Sequence, residues 1–168
     1  MRPFTAAAVQ VAPLPGPLSA EVVAGNLARC AALVRQCVEA TGAELVVLPE
    51  SATTGFTPGC SAEKLWDLVS EIPGPVVAPL QEVARDLGIH LCVGSYERGP
   101  QRGIVYNAAV LIGPTGGVLG IYRKTHPFAA EDARLGGWVT RGDSVTVCDT
   151  PLGRIGRASC RERVLDHV

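Results

Sequence analysis

Apolar and polar positions alternate between two periods along this chain, and the change of period marks out its elements. Phe4 to Val11 is a short apolar run that predicts a first strand, ended by the loop Pro13-Leu14-Pro15-Gly16-Pro17. Ser19 then stands where a helix cap is wanted. Val23, Leu27, Ala31, Val34 and Val38 recur at three- and four-residue spacing, predicting a helix to about Ala40 that Thr41-Gly42 stops. Leu45 to Leu48 is wholly apolar, as a strand covered on both faces would be, so the first fifty or so residues form a βαβ unit.

Two helical stretches follow, near Ala62 to Val69 and Val76 to Leu87, the second opened by Pro75 and closed by Gly88. Ile89 to Ser95 is the next strand. Beyond Tyr106 the pattern becomes that of hairpins. Asn107 to Ile112 and Val118 to Arg123 flank the turn Gly113-Pro114-Thr115-Gly116-Gly117, and Ser144 to Cys148 and Arg154 to Ala158 flank Asp149 to Gly153. An α/β beginning and an antiparallel continuation predict a mixed sheet.

Composition narrows the function classes. At 168 residues, 47% hydrophobic and 18% charged, the chain suits a soluble globular domain, and a net charge of −1 without a basic stripe gives nucleic acid or a membrane surface nothing to bind. A small molecule is the expected partner. No apolar run is long enough for a signal peptide or a membrane span, which leads us to expect a cytoplasmic protein. The six cysteines are scattered and form no CxxC pair, so no disulfide framework is expected. Cys30 and Cys37, seven apart on one helical face, read as small core residues. The three histidines have no paired spacing and no metal site or cofactor motif is recognisable. Trp66 and Trp138 read as core or pocket wall.

Three residues carry reactive chemistry, and each follows a predicted strand: Glu50 after Leu45 to Leu48, Lys124 after Val118 to Arg123, and Cys160 after Arg154 to Ala158. Strand ends opening into loops are where α/β folds gather functional groups. Breaking a carbon–nitrogen bond needs a nucleophile, a base to deprotonate it and a positive group where negative charge develops. Cys160, Glu50 and Lys124 match these three needs as a set, although each alone is commoner as a loop carboxylate, a surface lysine or a small core residue.

The ordered motifs Ala8-Val9-Gln10, Leu48-Pro49-Glu50 with Thr54-Gly55-Phe56, Tyr106-Asn107-Ala108-Ala109, Tyr122-Arg123-Lys124-Thr125-His126 and Leu152-Gly153-Arg154-Ile155-Gly156 resemble the nitrilase, or carbon-nitrogen hydrolase, superfamily over residues 4 to 156. The resemblance implies an α-β-β-α sandwich, of which this chain carries the front portion, assembled into homo-oligomers and working without a cofactor. It implies Glu50 as general base, Lys124 as stabiliser of the tetrahedral intermediate and Cys160 as nucleophile. Glu131 is the nearest match to a supporting second glutamate, and Tyr106 and Asn107 fall in a motif that supports or binds substrate. Amides and N-carbamoyl compounds are the substrates implied first, with nitriles beside them, and the loop Thr53 to Cys60 and the region of Trp138 are the clues to specificity.

Residues 157–168 differ from what precedes them: five of the twelve are charged, against 18% overall, and Arg161 stands where the family has an aromatic residue. They read as an atypical tail of foreign or frame-shifted origin. The competing expectation is therefore a truncated, inactive fragment of such an enzyme that at best binds or self-associates through exposed sheet edges.

Overall fold

The computed structural model describes residues 2–156. Strand β1 (Ala6–Ala8) leads to helix α1 (Ala20–Thr41) and strand β2 (Leu45–Val47), and helices α2 (Ala62–Leu68) and α3 (Ala78–Leu87) precede β3 (His90–Arg98), β4 (Val105–Ile112) and β5 (Val118–Arg123). A short 3-10 turn at Ala133–Leu135 comes before the hairpin of β6 (Val147–Thr150) and β7 (Gly153–Gly156). The first five strands form one sheet in the order β1-β2-β3-β4-β5. β1, β2 and β3 pair in parallel, whereas β3-β4 and β4-β5 are antiparallel, so the mixed sheet expected from the sequence is present.

Local chemistry sets most boundaries. The Ser19 side chain accepts the Val22 N–H at the start of α1, and Gly42, in the left-handed region, closes it. Ser61 caps α2 in the same way through the Lys64 N–H. α3 begins two residues later than the sequence suggests, because Val77 N and Ala78 N are both taken by the Gly74 carbonyl in a turn; the first-turn proline is Pro79, not Pro75. β1 is shorter than the apolar run containing it, since its ladder spans only the three residues of β2. β3 runs on to Arg98 because β4 pairs along its whole length. In the last hairpin Asp149 and Thr150 belong to the strand, pairing with Arg154 and Gly153, which leaves a two-residue turn of Pro151-Leu152. The predicted extension of β7 to Ala158 lies outside the described residues.

The two faces of the sheet have different fates. Val46, Leu91, Val93, Val110 and Ile112 on one face are covered by Val23, Leu27, Cys30 and Val34 of α1 and by Leu80, Val83 and Ala84 of α3. Each fully buried Val or Leu there contributes about 1.5–3 kcal/mol. Cys30 is part of this core as expected, but Cys37 is only half-buried. On the other face β4 meets three environments in succession. Val105 joins Leu65, Val69, Tyr96, Trp138 and Val139 in a second apolar cluster, Asn107 is polar and buried, and Ala109 and Leu111 line an apolar cleft with Leu45, Val47, Cys92, Tyr122 and the β6-β7 hairpin. The polar gap at Asn107 is where the chemistry-bearing side chains meet.

Candidate active site

Glu50 is delivered by the turn that ends β2. Leu48 N continues the ladder to Cys92 O, and Ala52 N returns to Gly94 O, so Pro49, Glu50 and Ser51 bulge over β3. That approach requires glycine at position 94, where a Cβ would lie 2.4 Å from the Pro49 carbonyl oxygen and 2.7 Å from the Glu50 Cα. Ser51, buried and non-glycine, holds a φ of 52°, a local strain of the kind found at functional turns.

Lys124 extends β5 by one rung. Its N–H donates to Asn107 O at 2.8 Å and its carbonyl accepts from Gly142 N at 3.0 Å, which directs the side chain onto the face that carries Asn107. The residue is only 6% exposed, so it is not the surface lysine that its residue type suggests. Its Nζ donates to Glu50 Oε1 at 2.9 Å and to Glu131 Oε1 at 2.6 Å. Asn107 Nδ2 spans the same two carboxylates, at 2.6 Å to Glu50 Oε1 and 3.3 Å to Glu131 Oε2. The Phe128 N–H gives Glu131 a third donor at 2.9 Å.

Burial works against the Lys124 ammonium, yet its hydrogen bonds to Glu131 and Glu50 outweigh that penalty and hold its pKa above the ordinary lysine value. Lys124 is thus a fixed positive charge and not a base. The two carboxylates differ sharply in setting: Glu131 is 1% exposed, while the Glu50 side chain is 47% exposed and borders an open cleft. That cleft, about 310 Å³, is lined by Glu50, Lys124, Glu131 and His126 on its polar side and by Phe56, Pro127, Phe128 and Ala129 on its apolar side. A buried ammonium beside a partly accessible carboxylate can stabilise developing negative charge and move a proton at one place.

The sequence expectations meet this geometry unevenly. Glu50, Lys124, Glu131 and Asn107 come together as one hydrogen-bonded cluster. Tyr106 does not join it. It lies on the opposite face of β4, with its ring centroid 4.6 Å from the Arg123 guanidinium, which in turn is paired with the buried Glu97. Cys160 lies outside the described residues. Among the described residues no cysteine lines the cleft, and no three His, Cys, Asp or Glu side chains are grouped to hold a metal ion. Trp138 is buried pocket wall, its Nε1 donating to the Tyr96 hydroxyl and its ring 5.7 Å from that of Phe56. The sequence reading passed over Phe128 as a wall residue and the ion pair between Asp132 and Arg141 beneath Glu131.

The family model for carbon-nitrogen hydrolases matches residues 5–168. The chain belongs to the carbon-nitrogen hydrolase family. Within that family it is similar to a nitrilase of Pyrococcus abyssi, with 36% identity over 107 residues that make up 63% of this chain and 39% of the relative. It is also similar to human omega-amidase NIT2, with 32% identity over 143 residues, 80% of this chain and 49% of that one. The chain therefore spans about half the length, or less, of these curated relatives. Among solved structures, the carbon-nitrogen hydrolase of Helicobacter pylori G27 superposes with a TM-score of 0.67 at 24% identity, covering 82% of this chain and 44% of that one. Saccharomyces cerevisiae Nit3, of the nitrilase superfamily, gives 0.66 at 23%, covering 80% and 48%. These two superpositions show that the chain shares the fold of the matching parts of those proteins. No helix among the described residues is long and apolar enough to cross a membrane.

Proposed function

We propose that this chain carries the proton-handling and charge-stabilising part of an amide-hydrolysing site, with Glu50 as general base and acid, Lys124 as oxyanion stabiliser, Glu131 and Asn107 as their supports and Cys160 as nucleophile. The observation that supports this reading best is the buried ammonium held between one buried and one accessible carboxylate. Glu50 takes the proton from the Cys160 thiol, and the thiolate adds to the amide carbonyl carbon. Lys124 donates to the oxygen that becomes negative. As the tetrahedral adduct collapses, the C–N bond breaks and Glu50 returns the proton to the departing nitrogen, leaving a thioester. Glu50 then deprotonates a water that attacks the thioester, which releases the carboxylic acid and restores the thiol. Nitriles and N-carbamoyl compounds would enter through the same adduct chemistry.

The test is ammonia release from a panel of primary amides, N-carbamoyl amines and nitriles, with Glu50→Gln, Lys124→Met and Cys160→Ala assayed beside the parent. Hydrolysis by the parent and loss of at least about a thousandfold in kcat for each variant are expected, since each removes a complete catalytic function. A parent inert on the whole panel, or a Cys160→Ala variant as active as the parent, refutes the reading. An inert parent is the result that the inactive-fragment alternative requires.

A further inference from the structure

Beneath the cluster lies an ion pair with no place in the steps above. Asp132, the neighbour of Glu131 in the chain, is 1% exposed, and its Oδ2 accepts from Arg141 Nη2 at 2.6 Å and from Arg141 Nε at 3.0 Å. Its Oδ1 accepts the Arg134 N–H at 3.0 Å, and Arg134 Nη2 adds a longer contact at 3.4 Å. A carboxylate so deeply buried and so fully supplied with donors is a fixed point in the structure.

The backbone shows what this point fixes. Val139 N donates to Glu131 O at 2.7 Å, Ala133 N to Val139 O at 2.9 Å and Gly137 N to Asp132 O at 2.9 Å, which lays the segment from 137 to 139 directly along Glu131 and Asp132. The contact is so close that a Cβ at Gly137 would lie 2.2 Å from the Glu131 carbonyl carbon. The same segment then crosses to the sheet. Thr140 N donates to Val105 O at 2.7 Å and Gly142 N to Lys124 O at 3.0 Å.

Arg141 therefore stands one residue from the contact with the Lys124 backbone and reaches back to the residue beside Glu131. A closed circuit results: Lys124 Nζ to the Glu131 carboxylate, Glu131 to Asp132 along the chain, Asp132 to Arg141 through the ion pair, Arg141 to Gly142 along the chain, and Gly142 N back to the Lys124 carbonyl. We propose that Asp132 and Arg141 are positioning residues, a clasp that holds the Glu131 carboxylate against the Lys124 ammonium. The clasp deepens the hydrolase reading and rests on it, because the position it defends matters only if Lys124 stabilises charge. Among the described residues, the charged and titratable side chains that act on the circuit include Glu50 on Lys124, Arg134 on Asp132 and Tyr96 on Glu131. Without the clasp, the Glu131 carboxylate keeps its Phe128 and Asn107 donors, and only the backbone hydrogen bonds of the 137–142 segment hold it beside Lys124.

The composition makes this testable without any activity, because the chain has only two lysines, Lys64 and Lys124. On 15N-lysine-labelled protein at mildly acidic pH, the ammonium protons of Lys124 are expected to exchange slowly, with exposed Lys64 as the internal reference. Arg141→Lys keeps a cation but gives up the two-pronged contact, and Arg141→Gln removes the charge. In both, Lys124 exchange should accelerate at least about tenfold, the equivalent of one charge-assisted hydrogen bond, while Lys64 and the far-ultraviolet circular dichroism stay as in the parent.

A folded Arg141→Lys protein with parental Lys124 exchange overturns the proposal. So does an Arg141→Lys protein that does not fold, since the pair is then a scaffold element only. Glu131→Gln separates the clasp from the catalytic reading: it should accelerate Lys124 exchange whatever Arg141 does. If the exchange responds as stated but the parent hydrolyses no amide, N-carbamoyl compound or nitrile, the clasp stands and the hydrolase reading falls.

Discussion

Lys124 touches two carboxylates with nearly equal geometry, and burial alone should decide which contact matters for stability. Its Nζ is 2.6 Å from Glu131 and 2.9 Å from Glu50, but Glu131 is almost wholly enclosed whereas nearly half of the Glu50 side chain meets solvent. Replacing Lys124 by Met leaves Glu131 charged in the interior with the Phe128 N–H and the Asn107 amide as its remaining donors. Removing one partner of a buried pair costs about 3–5 kcal/mol. At a urea dependence of about 2 kcal/mol/M this is a fall of about 1.5–2.5 M in the unfolding midpoint. Glu50→Gln, at an exposed contact, should cost below about 1 kcal/mol. Double-mutant cycles by urea unfolding make the comparison direct. We expect a Lys124–Glu131 coupling of about 2–3 kcal/mol and a Lys124–Glu50 coupling below about 1 kcal/mol. Equal couplings, or a Lys124→Met variant within about 1 kcal/mol of the parent, would show that water or local rearrangement screens Glu131 and would falsify the burial argument.

Other consequences can be measured separately. Gly94→Ala forces a Cβ into the Pro49 carbonyl and should cost about 1–3 kcal/mol in thermal or urea melts, with amide chemical-shift changes centred on Glu50 to Ala52; a silent substitution would mean that the Glu50 turn is not seated on β3. The Arg141 hydrogen bonds, acting against burial, hold the Asp132 carboxyl down at about 2 from its ordinary 3.8. The unfolded chain thus takes up the proton first, so the stability Asp132 contributes is complete above pH 3.8 and is lost between there and about pH 2. Acid titration of the melting temperature should show that loss in the parent and a weaker one in Arg141→Gln. Burial pushes the Cys30 thiol up to about 11, so at pH 8 alkylation of the folded chain, read by mass spectrometry, should be about a hundredfold slower there than at a thiol of ordinary pKa, and a rapidly labelled Cys30 would contradict its place in the core.

The legible part of this chain was what depends on local pattern. The α1 helix, its Ser19 cap and its Gly42 stop follow from periodicity and end chemistry, and the mixed sheet follows from the change from βα alternation to hairpins. Glu50, Lys124 and Asn107 stand out in the sequence because they sit in ordered motifs, Glu131 only as the nearest glutamate after the Lys124 motif, and the geometry brings the four together. Tyr106 shares the motif of Asn107, yet consecutive strand residues face opposite ways, so one motif cannot deliver both side chains to one site. The Asp132–Arg141 pair left no readable signal, because an acid and a base nine positions apart are ordinary in any sequence and only the return of the chain beside Lys124 gives them meaning. Burial of Lys124 was equally invisible, since it is a property of the loops that close over it. The strand ends that differ from the sequence pattern, in β1, β3 and β6, are set by the extent of the pairing partner, which lies far along the chain for β1 and in the next strand for β3 and β6.

The two carboxylates on Lys124 also differ in how far the chain must travel to bring them there. Glu131 is seven residues away and Glu50 is 74. The nearer pair needs only the loop after β5 to close, an inexpensive step in chain entropy, while the farther one must wait until β3 and β4 have been laid between β2 and β5. Chain entropy alone therefore favours the contact with Glu131 over the contact with Glu50 as the one the ammonium makes first. The contact between Glu50 and Lys124 joins the end of β2 to the end of β5 across β3 and β4, so the cluster belongs to neither the parallel nor the antiparallel part of the sheet but to their union.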